Sequence, residues 1–302
     1  MTEPPRARPL LVILAALLLA VAAVDAVTVL RITNNHDFAV YYTAAERLLR
    51  SDDIYAETDA FRQQIEQGVS TKNDDTPWPY AYPPFLAVSV LPLALAPYNV
   101  ASAIWTVCCL AAIAASCIMA LSSQRLLSLS GLLLAIVLLY QYQPAVVAVR
   151  LGQMDIMIFL LITGAFWLLH RSKDGWAGLA LGLAIGIKLF AGFLVAYLLW
   201  KRRWRAAIVG SVSGVALALG SFVLTGVEGL RRFLDFSSIY TTGAFAAYPY
   251  HQSINAFLAR NLKANMFAQP LLDPPLAAGA LTVAASLALI AGLLWVTRRP
   301  AA

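Results

Sequence analysis

Charge is scarce in this sequence: Asp, Glu, Lys and Arg make up 13% of the 302 residues, while 60% are hydrophobic. A soluble domain carries about 25% charged residues to hydrate its surface, so a water-soluble globular protein is excluded. Cysteine is scarcer still. The three present, Cys108, Cys109 and Cys117, lie in one apolar segment, and adjacent cysteines on a helix point to different faces. That excludes a disulfide framework and zinc-ligand spacing. The three histidines, His36, His170 and His251, are too far apart in sequence to define a metal site. Neither GxxxxGK[ST] nor a GxGxxG following a strand occurs, so a donor held as a nucleotide is not indicated. No internal repeat stands out.

What the sequence does have is apolar length. Segments 10–30, 98–121, 127–142, 154–170, 205–225 and 276–297 are candidates to cross about 30 Å of hydrocarbon. Two regions stay ambiguous: 84–97 is short for a crossing, and 175–200 reads either as one long helix or as two half-length helices meeting near Ile187-Lys188. Either way the expectation is an all-α, polytopic integral membrane protein of about eight transmembrane helices, a single domain over 1–302 with both termini cytoplasmic. Segment 10–30 follows Arg6 and Arg8 and exceeds a signal-peptide core, so an uncleaved anchor is expected. The net charge of +6 sits in short clusters beside apolar segments, such as Lys201-Arg202-Arg203, where Lys and Arg orient a chain in the bilayer. It is not a nucleic-acid footprint.

Residues 31–83 and 226–275 form two structured loops outside the cytoplasm in both arrangements, and polar residues concentrate there. In the first loop, Phe38, Tyr41, Tyr42, Ala45, Leu48 and Leu49 recur at helical spacing, which predicts an amphipathic helix along the membrane interface. Asp37 at its start has two readings: an N-cap that satisfies free backbone donors, or a base whose pKa is raised by partial desolvation. In YAYPPF the double proline suits a rigid helix entry, and Tyr82 is either part of it or a sugar contact. Leu151-Gly152-Gln153 interrupts two apolar runs, as a turn or as a source of the Gln153 amide. Lys188 has no acidic residue nearby in sequence, so it either snorkels or meets an anion such as phosphate. The late stretch YPYHQSINAFLARNL places His251, Gln252, Ser253, Asn255 and Arg260 around a short helix, more polar groups than capping requires. The pairs Asp52-Asp53 and Asp74-Asp75 read as solvated loop charges; a divalent cation is not indicated.

In their order, DFAVYYTAA after the first span, the YPP entry, GQ before a span, GIK followed by KRRWR, and a late HQS with a downstream Arg resemble one family. It is the polyprenyl-phosphate-mannose-dependent mannosyltransferases of the GT-C superfamily, the group including the bacterial phosphatidylinositol-mannoside α-1,2-mannosyltransferases. The resemblance covers roughly residues 10–262, and relative to the family pattern the chain is shortened at its C-terminus. It implies a GT-C-like fold and an inverting transferase, without cofactor, acting on the extracytoplasmic side of the cell membrane. The donor would be a sugar on a polyprenyl phosphate and the acceptor a lipid or glycan. Asp37 matches the family's base and His251 an active-site histidine. His36, Tyr41, Tyr42, Tyr82, Gln153, Lys188, Gln252, Asn255 and Arg260 are candidate substrate contacts. A protein partner is an expectation that accompanies the shortening. The competing class is a non-enzymatic lipid transporter or assembly subunit, although a transporter would line its midplane with more polar residues than these spans carry.

Overall fold

A computed structural model of the protein describes residues 35–57, 79–241, 244–249, 251–265 and 267–298. The expected anchor at 10–30, most of the segment 58–83 and the Asp74-Asp75 pair lie outside the described residues. Among those described, every regular element is helical: α1 His36–Arg50, α2 Pro84–Ala94, α3 Tyr98–Ser123, α4 Leu129–Gln141, α5 Gln143–Leu151, α6 Asp155–His170, α7 Asp174–Ile187, α8 Phe193–Trp200, α9 Trp204–Gly220, α10 Gly226–Thr241, α11 Ile254–Leu262 and α12 Pro275–Val296, with short 3₁₀ turns between some of them.

Three helical segments are long and apolar enough to cross a membrane, Tyr98–Ser123, Trp204–Leu224 and Leu276–Val296, or four if the bent pair Leu129–Leu139 and Gln143–Leu151 is one span. Val107, Val212 and Leu287 on these helices are exposed. In water such side chains would drive aggregation; in hydrocarbon they form the solvated face. The described residues, which leave out segment 10–30, do not show the expected eight or so transmembrane helices. The segment near 154–170 forms a helix of 16 residues, and 175–200 is two helical pieces. The break falls at Lys188, whose backbone is extended (φ −149°, ψ 112°), followed by a 3₁₀ turn at Leu189–Gly192 and then α8.

By internal contacts the chain forms two units. The first comprises residues 35–52 and 83–221 of those described. In it α1 packs against α2 and α3, and α7 lies along both α6 and α9. The apolar spacing predicted for α1 is what it buries: Phe38, Tyr41, Tyr42 and Ala45 are buried, with Phe38 stacked on Trp105 at 5.1 Å between ring centroids. Leu49, expected on the same face, is exposed. The α7–α9 contact is a glycine seam. A Cβ on Gly178 would stand 2.7 Å from the Ala206 carbonyl oxygen, and one on Gly214 would stand 2.7 Å from Ile185 Cβ. Small residues allow this approach, the usual means of association for helices in lipid, where no hydrophobic force separates helix from solvent.

The second unit comprises residues 53–57, 79–82 and 222–298 of those described. Tyr55 and Tyr80 are buried with ring centroids 5.6 Å apart, and the Tyr55 hydroxyl donates to the Tyr82 carbonyl at 2.7 Å. Burial pushes the Tyr55 phenol well above its ordinary range, so it stays a donor. Asp53 is not merely a solvated charge: it accepts from the Tyr55 N–H at 2.9 Å and pairs with Arg232 of α10. Helix α11 starts at Ser253, whose hydroxyl accepts from the Ala256 N–H at 3.1 Å, and it packs on α12.

Candidate active site

Asp37 is not the cap of α1. That position belongs to Asn35, in the left-handed region at φ 44°, with no side-chain capping bond. The Asn35 side chain turns away from the helix instead and donates to the Ser102 hydroxyl and, at 3.1 Å, to Thr106 Oγ1. Asp37 stands in the first turn, where the helix dipole favours a carboxylate. Released from capping, its side chain meets three groups distant or adjacent in sequence. Gln153 hydrogen-bonds it, the His36 ring approaches to 3.7 Å, and Lys188 acts on it through its charge. Burial nevertheless dominates and holds the Asp37 carboxyl above the ordinary aspartate value of 3.8, against the lowering effects of Gln153, His36 and Lys188. With 29% of the side chain exposed, the group remains reachable.

The backbone explains how Gln153 arrives there. Gly152 ends α5 in the left-handed conformation at φ 67°, its N–H donating to the Val149 carbonyl and that of Gln153 to the Ala148 carbonyl. This is the glycine-terminated helix end in which the last carbonyls are satisfied. A Cβ on Gly152 would lie 2.8 Å from Asn35 Oδ1 and 2.9 Å from Phe38 Cβ, so only glycine lets this turn sit against the start of α1. Trp105 Nε1 donates to the Gly152 carbonyl at 2.8 Å, the Asn35 N–H to the Arg150 carbonyl at 3.2 Å, and the Met154 N–H to the Tyr41 hydroxyl at 3.4 Å. The interruption at 151–153 is therefore both a turn and the means by which Gln153 is delivered.

Lys188 does have an acidic neighbour. Its Nζ lies 2.9 and 3.2 Å from the two carboxylate oxygens of Asp155, in the first turn of α6. That partner is 33 residues away in sequence. The available signal was the small number of acids adjoining apolar runs, one of which must meet a lysine placed in such a segment.

The structure therefore brings together His36, Asp37, Gln153, Lys188 and Asp155 in the first unit. Tyr41 and Tyr42, expected among substrate contacts, are packed in its core: Tyr41 is 1% exposed, and the Tyr42 hydroxyl donates to the Ala96 carbonyl at 2.9 Å. Tyr82, His251, Gln252, Asn255 and Arg260 belong to the second unit. There Arg260 Nη1 donates to the Tyr248 and His251 carbonyls at 3.0 and 2.9 Å, tying the loop to α11. Gln252 donates to the Pro249 carbonyl at 3.0 Å, and the His251 ring stands edge-on to Tyr248 at 5.5 Å. Gln252, Ser253, Phe257, Leu258, Arg260 and Ala285 line an open cavity of about 450 Å³. No group of three or more His, Cys, Asp or Glu side chains suited to a metal occurs among the described residues.

The chain is 30% identical over 168 residues to a polyprenol-phosphate-mannose-dependent alpha-(1-2)-phosphatidylinositol pentamannoside mannosyltransferase of Mycolicibacterium smegmatis, an alignment covering 53% of this chain and 39% of that protein. It is 27% identical over 228 residues to the protein of the same description from Mycobacterium tuberculosis, covering 73% of this chain and 49% of that protein. The chain thus spans less than half the length of these two relatives. No solved structure matches it. Residues 80–302 match Glycosyltransferase family 87, a stretch that contains Gln153, Asp155, Lys188 and His251 and begins after Asp37. With well over half of its residues so matched, this membrane protein belongs to Glycosyltransferase family 87.

Proposed function

We propose that the protein transfers a sugar, mannose, from a polyprenyl-phosphate donor to the hydroxyl of a lipid or glycan acceptor outside the cytoplasmic membrane, with inversion at the anomeric carbon. The observation that carries this reading is the surrounding of Asp37. A partly desolvated carboxylate, its basicity raised by burial, stands beside an amide and an imidazole and feels the charge of an ammonium group. The two relatives' dependence on polyprenol-phosphate-mannose supports the choice of donor.

In this mechanism the acceptor oxygen attacks C1 of the sugar from the face opposite the phosphate. Its proton passes to Asp37 as the new C1–O bond forms. The bond from C1 to the phosphate oxygen breaks, its electron pair leaving with the phosphate. A phosphate departs without protonation, so one carboxylate suffices where a sugar alkoxide leaving group would need a second, acidic one. Gln153 orients Asp37, and Lys188 stabilises the charge that grows on the phosphate. His251 is proposed as an active-site histidine on its match to the late-loop histidine of the family resembled. Tyr82, Gln252, Asn255 and Arg260 are proposed to bind substrate, and Tyr41, whose hydroxyl accepts from the Met154 N–H, to hold the segment that carries Gln153 and Asp155.

The test incubates membranes containing the full chain with radiolabelled decaprenyl-phosphate mannose and an extracted lipid acceptor. Expected is a labelled glycolipid whose mannose linkage has the configuration opposite to the donor's. A retained configuration would overturn the single-displacement mechanism. Absence of label in any acceptor, under conditions where a known transferase of the family labels one, would favour a non-enzymatic role.

A further inference from the structure

The Asp155 carboxylate is matched by none of the motifs, yet it holds the lysine of the cluster through both oxygens. The pair is accessible, with 36% of the Lys188 side chain and 42% of that of Asp155 exposed. Its charge balance is uneven. Among the described residues, Lys188 is the ammonium group that acts on both Asp37 and Asp155, and His36 is a second basic side chain at Asp37. An anion entering while Asp155 keeps Lys188 meets two carboxylates and a lysine already partnered, an arrangement that Coulomb repulsion opposes. If the carboxylate gives up the lysine, the anion gains an attractive partner. Asp155 can bear the separation because it lies in the first turn of α6, where the helix dipole stabilises negative charge. It also borders an apolar cavity of about 200 Å³, with Ile113, Leu139, Ala148, Ile156 and Phe159 among its walls. A ligand with an anionic head and a hydrocarbon tail suits such a boundary.

We infer that Asp155 is the resting counter-ion of Lys188, exchanged for the phosphate of an isoprenoid-phosphate ligand and returned to the lysine when the product phosphate leaves. Asp155 is thus a positioning residue: it holds the ammonium at the cluster, and it competes with the ligand for it. The nature of the ligand rests on the proposed glycosyl transfer; the exchange itself is a matter of binding and can be measured without turnover.

The experiment uses the full chain in nanodiscs with farnesyl phosphate as probe. Removing a competing, half-exposed ion pair is expected to tighten binding by about two- to fivefold in Asp155→Asn. Asp155→Glu should bind like the wild type, and Lys188→Met should bind several-fold more weakly and become insensitive to a second substitution at Asp155. Asp155→Ser, which also removes the carboxylate, gives the same reading if the Asn variant melts early. In mannose-transfer assays Asp155→Asn should lower KM and kcat together, because the product phosphate is no longer displaced. Equal or weaker probe binding by folded Asp155→Asn and Asp155→Ser overturns the exchange. If the wild type transfers mannose and that result is found, glycosyl transfer stands without the exchange. If the wild type transfers nothing and Asp155→Asn binds the probe more tightly, the exchange stands and the donor reaction falls.

Discussion

Asp37→Asn keeps the shape of the side chain and removes only its capacity to take a proton. An Asn carbonyl at this position still accepts from Gln153, so the loss isolates general-base catalysis, worth about 10²–10⁴-fold in rate, or about 2.7–5.5 kcal/mol of barrier. Burial strengthens this base relative to an ordinary aspartate, which places the expected loss in the upper part of that range. Stability should move the other way. Because the folded protein holds the Asp37 proton more tightly than the unfolded chain does, stability falls as pH rises from the unfolded pKa through the folded one, and above that window the ionised carboxylate is a net cost. At neutral pH the Asn variant should therefore melt at the same temperature as the wild type or higher, the usual opposition between an active site and stability. Wild-type transfer should decline as pH falls through the Asp37 pKa, at a midpoint above 3.8. Initial rates with labelled donor, thermal melting and a pH profile test all three. A variant retaining more than about a tenth of the wild-type rate would refute the base assignment, set against the hundredfold minimum for a general base. Loss of activity together with a fall of several degrees in Tm would show that the carboxylate is structural.

Gln153→Leu removes a hydrogen bond that lowers the Asp37 pKa, so the acid limb of transfer should move to higher pH; a limb that stays in place would separate Gln153 from the base. Gly152→Ala forces an L side chain into φ 67° with its Cβ 2.8 Å from Asn35 Oδ1, and should cost about 1–3 kcal/mol in stability while displacing Gln153. Activity lost without any change in melting would contradict this. Gly182→Leu drives a side chain into Ser213 across the α7–α9 seam and should destabilise the folded protein by about 1–3 kcal/mol, read by denaturation in mixed detergent. Tyr55→Phe deletes the bond to the Tyr82 carbonyl and should cost about 0.5–1.5 kcal/mol in the same assay.

Local chemistry in the sequence foretold several of these elements. The apolar spacing of Phe38, Tyr41, Tyr42 and Ala45 marks α1 and its buried face, Gly152 marks the end of a helix, and Lys188 marks a break in an apolar segment. Each is decided by its own neighbours. What stayed hidden depends on which helix packs on which. Lys188 shows no acidic residue nearby in sequence, because Asp155 reaches it only once α6 and α7 lie side by side. Asp37 reads most simply as a cap until Asn35 takes that position and the turn at Gly152 fits against it. Arg260 reads as a substrate contact, and the two carbonyls of its own loop that it also holds are not legible in the sequence. The number of spans is hidden for a related reason, since a hydropathy profile registers apolar length and passes over the extended residue that divides it at Lys188.

The hidden partners share a position. Asp37 and Asp155 stand in the first turns of α1 and α6, Gln153 follows the end of α5, and Lys188 follows the end of α7. Backbone within a bilayer can leave the helix only where protein or water satisfies its polar groups, so helix ends placed together define a polar region inside an apolar bundle. The first turns of α1 and α6 carry the positive ends of their helix dipoles, which favour negative charge, and the extended residue after α7 places a lysine to balance it. An anionic headgroup attached to a lipid tail needs that combination, and a continuous helix through residue 188 or residue 152 would remove it. The interruptions that shorten these helices below a full span are what the proposed reaction requires of the fold, which is why the glycines and the break should tolerate substitution no better than Asp37 itself.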